Sequence, residues 1–248
     1  MSIEITRHGE VRHITIANHA RLNTLNSALL VALAGAFDVE PDIRAVVLTG
    51  EGDRAFIGGA DIREMGAVTT PEQGRAFIER VHAACAAIRA CRVPVIARIQ
   101  GWCLGAGLEI AAACDLRIAA DAAKFGMPEV RVGIPSVVEA ALLPGLIGWG
   151  RARRLLLLAE TLDAATMESW GFLERVVPLP ALDVAVAAWV ALLCEAGPHA
   201  IANQKALIRA WEDLPLGQAI AAGIPAFAAS WETGEPAAMM GHFLSRKR

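Results

Sequence analysis

Pro94-Val95-Ile96-Ala97-Arg98-Ile99-Gln100-Gly101 runs directly into Trp102-Cys103-Leu104-Gly105-Ala106-Gly107-Leu108-Glu109-Ile110-Ala111-Ala112-Ala113-Cys114-Asp115. The first part is a short apolar strand that ends on glycine. The chain then turns through Gly101 to Leu104, and a helix of small residues is predicted from Gly105 to Cys114. The first N–H groups of a helix have no intrahelical acceptor and carry the positive end of its dipole. Residues without bulky side chains let a substrate oxygen approach that backbone, which is the requirement of an oxyanion hole. Glu109 follows one turn later among apolar neighbours, where an acid faces a site or needs a partner. The plainer alternative is a close-packed Gly/Ala helix with Glu109 as a first-turn dipole partner. Gly105-Ala106-Gly107 is also half of a dinucleotide fingerprint, but Ile110 stands where its third glycine belongs, so nucleotide binding ranks lower.

Two further features lie on either side. Phe56-Ile57-Gly58-Gly59-Ala60-Asp61 is a second glycine turn after a strand at Val46 to Leu48. It reads as a site segment or as a strand-to-helix turn with Asp61 as N-cap. Gly126-Met127-Pro128 precedes a second acid, Glu129, which follows Glu109 by 20 residues. Alternation predicts a hairpin over Ser2–Arg7 and Val11–Ala17. Helical spacing is found at Leu25–Phe37 and Pro71–Arg92, with strands at Arg44–Gly50, Asp115–Ala119 and Lys124–Gly126. After Pro135 the pattern is helical except for Leu173–Pro178. Short strands alternating with helices indicate an α/β fold. The organisation is a core over residues 1–180 that holds the active site, and a C-terminal helical region over residues 181–248.

Composition narrows the functional classes. The 248 residues are 55% hydrophobic and carry a net charge of -3, with a mean hydropathy of +0.43. The acidic balance argues against nucleic acid as a partner. The apolar runs are short, and Leu179–Cys194 is broken by Pro180 and Asp183, so no membrane span of ~20 residues is expected. The N-terminal Met1-Ser2-Ile3-Glu4-Ile5-Thr6-Arg7-His8 has no apolar core of a signal peptide. The five cysteines form no C-x-x-C pair, and the six histidines show no metal-binding spacing. A cytoplasmic protein with free thiols and no metal is expected.

Ala55-Phe56-Ile57-Gly58-Gly59-Ala60-Asp61-Ile62-Arg63-Glu64-Met65, Gly105-Ala106-Gly107-Leu108-Glu109 and Lys124-Phe125-Gly126-Met127-Pro128-Glu129 together resemble motifs of the crotonase (enoyl-CoA hydratase/isomerase) superfamily. Asn23-Thr24-Leu25 resembles its early Asn-Ala-Leu element. The resemblance implies an α/β crotonase/ClpP-like spiral of ββα units with a C-terminal helical oligomerisation region, assembled as a homotrimer or homohexamer. It implies an enoyl-CoA hydratase of fatty acid metabolism, a hydro-lyase acting on a short or polar enoyl-CoA thioester. Coenzyme A is then part of the substrate and no separate cofactor is needed. By the same resemblance, the backbone N–H groups of Ala60 and Ala106 form the oxyanion hole, and Glu109 and Glu129 hold one catalytic water. Substrate or CoA contacts are implied at Arg21, Leu22, Gly58, Gly59, Asp61, Ile62, Gly105, Pro128, Ser136, Glu139, Phe243 and Arg246.

One stretch departs from the family pattern. Where hydratases carry a glycine-rich segment after the second acid, this chain has Ile134-Pro135-Ser136-Val137-Val138-Glu139-Ala140-Ala141. Glu139 is expected in the first turn of a helix beginning after Pro135, facing the acyl end of the pocket and narrowing the substrate range. An isomerase, or a hydrolase helped by Glu139, is the alternative within the superfamily. A non-catalytic binding module ranks lower, because both acids are present.

Overall fold

The computed structural model describes residues 1–245. Ten strands lie in two sheets: β1 Ser2–His8, β2 Val11–Ala17, β3 Ala45–Gly50, β4 Ala55–Ile57, β5 Val95–Ile99, β6 Trp102–Leu104, β7 Leu116–Ala120, β8 Lys124–Gly126, β9 Leu162–Asp163 and β10 Arg175–Val177. The larger sheet has the order β1-β2-β3-β5-β7-β10, and the smaller one β4-β6-β8-β9. The β1-β2 hairpin is antiparallel. From β2 onward the large sheet is parallel, with Val46 opposite Val95 and Ile96 opposite Leu116.

The strands alternate between the sheets. β3 lies in the large sheet and β4 in the small one, and two helices follow, α2 (Ile62–Gly66) and α3 (Pro71–Ala90). β5, β6 and α4 (Ala106–Ala113) repeat the pattern, and β7 and β8 begin it again. Each turn of this spiral adds one long and one short strand. This is the expected crotonase-type ββα architecture. The segment Trp102–Leu104, read from sequence as part of a turn, lies between β4 and β8 in the small sheet. Its three residues are too few for periodicity to separate from a turn.

Close backbone contacts fix the winding. A Cβ on Gly101 would lie 2.2 Å from the Arg54 carbonyl oxygen, and one on Gly107 would lie 2.3 Å from that of Ile57. Glycine at 107 therefore lets α4 sit directly against β4. α4 is buried along its whole length, so it is part of the core rather than a surface helix. The main core packs α1 (Ser27–Gly35), α3 and α4 with residues of both sheets, through Leu30, Val46, Phe56, Val81, Ile88, Ile110 and Phe125.

Beyond residue 180, helix Leu182–Glu195 covers the outer face of the large sheet. It buries Leu182, Ala185 and Val186 against Val47, Ile96 and Ile118. Lys205, on Pro198–Asp213, reaches inward to the Asp115 carboxylate at 2.7 Å and the Val93 carbonyl at 3.0 Å. The following helices, Leu216–Ala229 and Glu235–Ser245, leave Leu216, Ile220, Ile224 and Phe227 exposed. No single helix among the described residues is long and apolar enough to cross a membrane.

Candidate active site

A half-open cavity of about 420 Å³ lies where the first turns of α2 and α4 meet α3 and the segment Pro128–Val137. One wall follows β4. The Leu25 N–H donates to Gly59 O (2.9 Å), and the Asp61 N–H donates to Leu25 O (2.8 Å). Leu25 thus bonds to both neighbours of Ala60 in a parallel bridge. In that pattern the N–H of Ala60 is turned to the opposite side. Ala60 lines the cavity, and its N–H has no protein acceptor among the described residues. Asp61 caps α2 by accepting from the Arg63 N–H at 2.9 Å, while its other oxygen lies 3.3 Å from Arg21.

The second wall is the start of α4. Gly105 has φ +51, a conformation that strains an L side chain, and a Cβ there would lie 2.4 Å from Glu129 Oε1. Ala106 is the first helical residue, so its N–H has no intrahelical acceptor. It also lines the cavity. Gly107 against Ile57, and Gly59 against Leu104 O, keep the two walls in direct contact. Two backbone donors therefore border one space, held there by Gly59, Gly105 and Gly107.

Glu109, 4% exposed, enters from α4. Burial first, then the nearby Glu129 and Glu139 charges, raise its carboxyl against the opposing backbone of Ala140 and Val137, to about 8 in all. Glu129 opens the 3-10 turn Glu129–Val132 and is half-buried. Burial also raises its carboxyl, opposed by its own backbone N–H and by the Ser136 hydroxyl, which donates to Oε2 at 2.9 Å. The two acids border one cavity.

Of the residues implied from sequence, Gly58, Gly59, Ala60, Ile62, Gly105, Ala106, Glu109, Pro128, Glu129 and Ser136 line this cavity. Leu22 lies behind the wall, where its carbonyl accepts from the Gly58 N–H at 2.8 Å. Arg21 and Asp61 pair with each other outside the lining, and Phe243 is on the exposed helix Glu235–Ser245. Arg246 and its neighbour Lys247 lie outside the described residues.

Glu139 requires a correction. It does not line the cavity. Glu139 is not in the first turn of an α-helix, since the first α-helix after Pro135 is Leu143–Ile147. Val138 adopts φ +41 and a 3-10 turn, Val138–Leu142, follows. That backbone turns Glu139 inward, away from solvent and from Arg151, and brings Oε1 2.8 Å from His82 Nδ1 on α3. The cavity is lined on that side by apolar residues instead: Met65, Phe77, Ile78, Val81, Val132 and Ile134. Sequence reasoning missed these residues. The helical spacing of Phe77, Ile78 and Val81 was visible, but a core-facing stripe has the same pattern.

The spiral of ββα turns and the two-walled cavity define the crotonase class of α/β proteins. Within it the chain belongs to the enoyl-CoA hydratase/isomerase family, whose family model matches residues 6–245. It is 39% identical over 181 residues to the "Probable enoyl-CoA hydratase echA8" of Mycobacterium tuberculosis, covering 71% of this chain and 69% of that one. It is 32% identical over 231 residues to the "Crotonyl-CoA hydratase" of Syntrophomonas wolfei, covering 92% and 88%. The crystal structure of an enoyl-CoA hydratase from Bacillus anthracis superposes with a TM-score of 0.93 at 28% identity, covering 98% of this chain and 96% of that one.

Proposed function

We propose that this protein is an enoyl-CoA hydratase that adds water across the 2,3 double bond of a short-chain enoyl-CoA thioester. The observation that carries the reading is one cavity bordered by two carboxyl groups and by two backbone N–H groups without protein acceptors among the described residues. The thioester oxygen is placed between the N–H groups of Ala60 and Ala106. There they stabilise the negative charge that develops as C2 becomes enolate-like. Glu109 and Glu129 hold a water over the double bond. Its oxygen bonds to C3 while one carboxylate takes its proton, and the other carboxyl group gives a proton to C2. The pair holds one proton before and after the addition, so the net change is one water gained by the substrate.

The apolar wall from α2 and α3 supports an alkyl acyl group. With Glu139 turned away, the reason for expecting a polar acyl group is gone. Similarity to a crotonyl-CoA hydratase supports a short chain. The half-exposed Arg21 guanidinium, paired with Asp61 beside the cavity, supports a contact with the CoA phosphates. The exposed apolar residues of Leu216–Ala229 support assembly as a homotrimer or homohexamer, since such patches mark interfaces.

Incubation with enoyl-CoA thioesters of four to twelve carbons, followed by product mass, tests the reading. The expected result is a gain of one water, fastest with the shortest substrates. Release of free CoA, or a product of unchanged mass with a moved double bond, would overturn it.

A further inference from the structure

Near its start, α3 carries a glycine that the packing does not require. Gly74 lies within the helix, and a Cβ built on it would meet only Val68 Cγ1, at 3.7 Å, an ordinary van der Waals contact. Gly101 and Gly107 differ, since a Cβ there would collide with backbone. A glycine inside a helix destabilises it relative to alanine, because more backbone freedom is lost on folding. Gly74 lines the cavity together with Phe77, Ile78 and Val81. The four stand at i, i+3, i+4 and i+7, which is one face of a helix. Exposure rises along that face: Val81 is 1% exposed, Phe77 is 7% exposed and Gly74 is half-buried. α4, which bears Glu109, packs against α3, whose buried residues run from Phe77 to Ile88. Gly74 therefore stands at the outer end of the face, about 10 Å from Val81 along the helix axis. Val68, which also lines the cavity, lies across from it.

We propose that Gly74 is a specificity-determining residue: its missing side chain leaves a gap between α3 and Val68 through which the alkyl tail of a longer enoyl-CoA leaves the cavity. A four-carbon acyl group has no atoms to place there. A longer one runs along Val81, Ile78 and Phe77 and passes over Gly74 toward solvent. That face is wholly apolar and offers no hydrogen bond to a polar tail, so the substrate class is a straight-chain alkyl thioester. A side chain at position 74 would close the gap against Val68 and confine the enzyme to short acyl groups. The helix stability lost at Gly74 is the counterpart of that breadth. The proposal rests on the hydratase reading above and deepens it, by naming the residue that limits chain length.

The test measures kcat/KM for crotonyl-CoA and for trans-2-decenoyl-CoA in the full chain and in its Gly74→Ala and Gly74→Leu variants, with thermal unfolding of each. The parent should hydrate both substrates, crotonyl-CoA faster. Gly74→Ala brings a methyl into contact with Val68 and should lower the decenoyl-to-crotonyl ratio of kcat/KM about 10-fold. Gly74→Leu fills more of the gap and should lower that ratio by up to about 200-fold, the upper end of what one methylene too many imposes in an apolar pocket. Gly74→Ala should also raise Tm by roughly 2–4 °C, since alanine favours the helix. A glycine with a structural role alone would move Tm and leave the ratio unmoved. An unchanged ratio in a folded Gly74→Leu, or in Gly74→Ala should the leucine variant not fold, would overturn the proposal. So would a fall in Tm for Gly74→Ala, or a parent that hydrates crotonyl-CoA and not decenoyl-CoA. Failure of the parent to hydrate crotonyl-CoA would instead overturn the reading on which the proposal rests.

Discussion

Glu109 sits on a fully buried helix with a second acid behind it, whereas Glu129 opens a 3-10 turn at the exposed side of the same cavity and keeps a serine hydroxyl on one oxygen. The same side chain is therefore set to different tasks by its surroundings. At Glu109 the charged form is opposed by burial and by two neighbouring carboxylates, and the carboxyl is pushed up to about 8. At Glu129 burial is partial, and a hydroxyl and an N–H compensate for it. Unequal environments push the two carboxyl groups apart, and an acid–base addition draws on such a difference. The contrast also separates two kinds of wall. The Glu109 side is built from backbone packed on glycine, while the Glu129 side depends on side-chain hydrogen bonds.

Removing either carboxylate is the largest perturbation. Glu109→Gln and Glu129→Gln should each lower kcat for hydration by about 10²–10⁴-fold while leaving the fold intact. Steady-state kinetics and circular dichroism check both, and a parental rate in either variant would break the paired arrangement.

Stability against pH distinguishes the two ends. An acid whose value rises on folding contributes stability that is whole below its ordinary value of 4.5 and is lost as pH climbs through about 8. Glu109→Gln has no such loss. Relative to the parent it should gain up to a few kcal/mol between pH 4.5 and 8, at about 1.4 kcal/mol per unit. Urea unfolding at pH 5 and pH 9 measures this. Glu129→Gln should show the same sign with a smaller span.

Gly105→Ala tests the contact between the walls. The added methyl meets the far end of the Glu129 side chain, which moves at little expense to stability, so the harm falls on alignment. A misplaced carboxylate lowers kcat by up to about 10²-fold, and the positive φ adds roughly 1–2 kcal/mol of strain. Gly133→Ala is the control: its φ is +83 and the new methyl meets nothing within 4 Å. It should show the strain in thermal unfolding and keep the parental kcat.

The smallest effect is expected at Ser136. Ser136→Ala removes the hydroxyl from Glu129 Oε2 and should lower kcat about 3–10-fold, consistent with one hydrogen bond. It should also raise the acid limb of the pH profile, because the ionised form of Glu129 loses a donor. Measuring kcat from pH 5 to 9 checks both.

Much of this molecule was readable as local pattern. The β1-β2 hairpin, the buried strands β3 and β5, the small-residue helix α4 and the acids at 109 and 129 follow from alternation, apolar runs and glycine placement over a few residues. Each depends on backbone geometry that neighbouring residues dictate. Of the small sheet, Lys124–Gly126 was read as a brief strand, whereas β4, β6 and β9 were not readable, because their partners are tens of residues away and so short a run has no period of its own. The acyl wall was not readable either, since Phe77, Ile78 and Val81 look the same whether they face a core or a cavity.

Glu139 is the sharpest division between the two levels. Its sequence neighbourhood showed that a third acid stands among apolar residues and needs a partner. Which partner depended on Val138, which enters a left-handed conformation that valine does not choose by itself. Contacts with α3, α4 and Leu143–Ile147 impose that conformation, and with it the direction of the side chain, toward His82 instead of the substrate. Sequence by itself determined the chemistry available, two carboxylates and two small-residue turns in the right order, because backbone preference and residue type are local. Tertiary packing decided which acid meets the cavity and which stands behind it, because a side chain's direction is set by contacts between segments far apart in the chain.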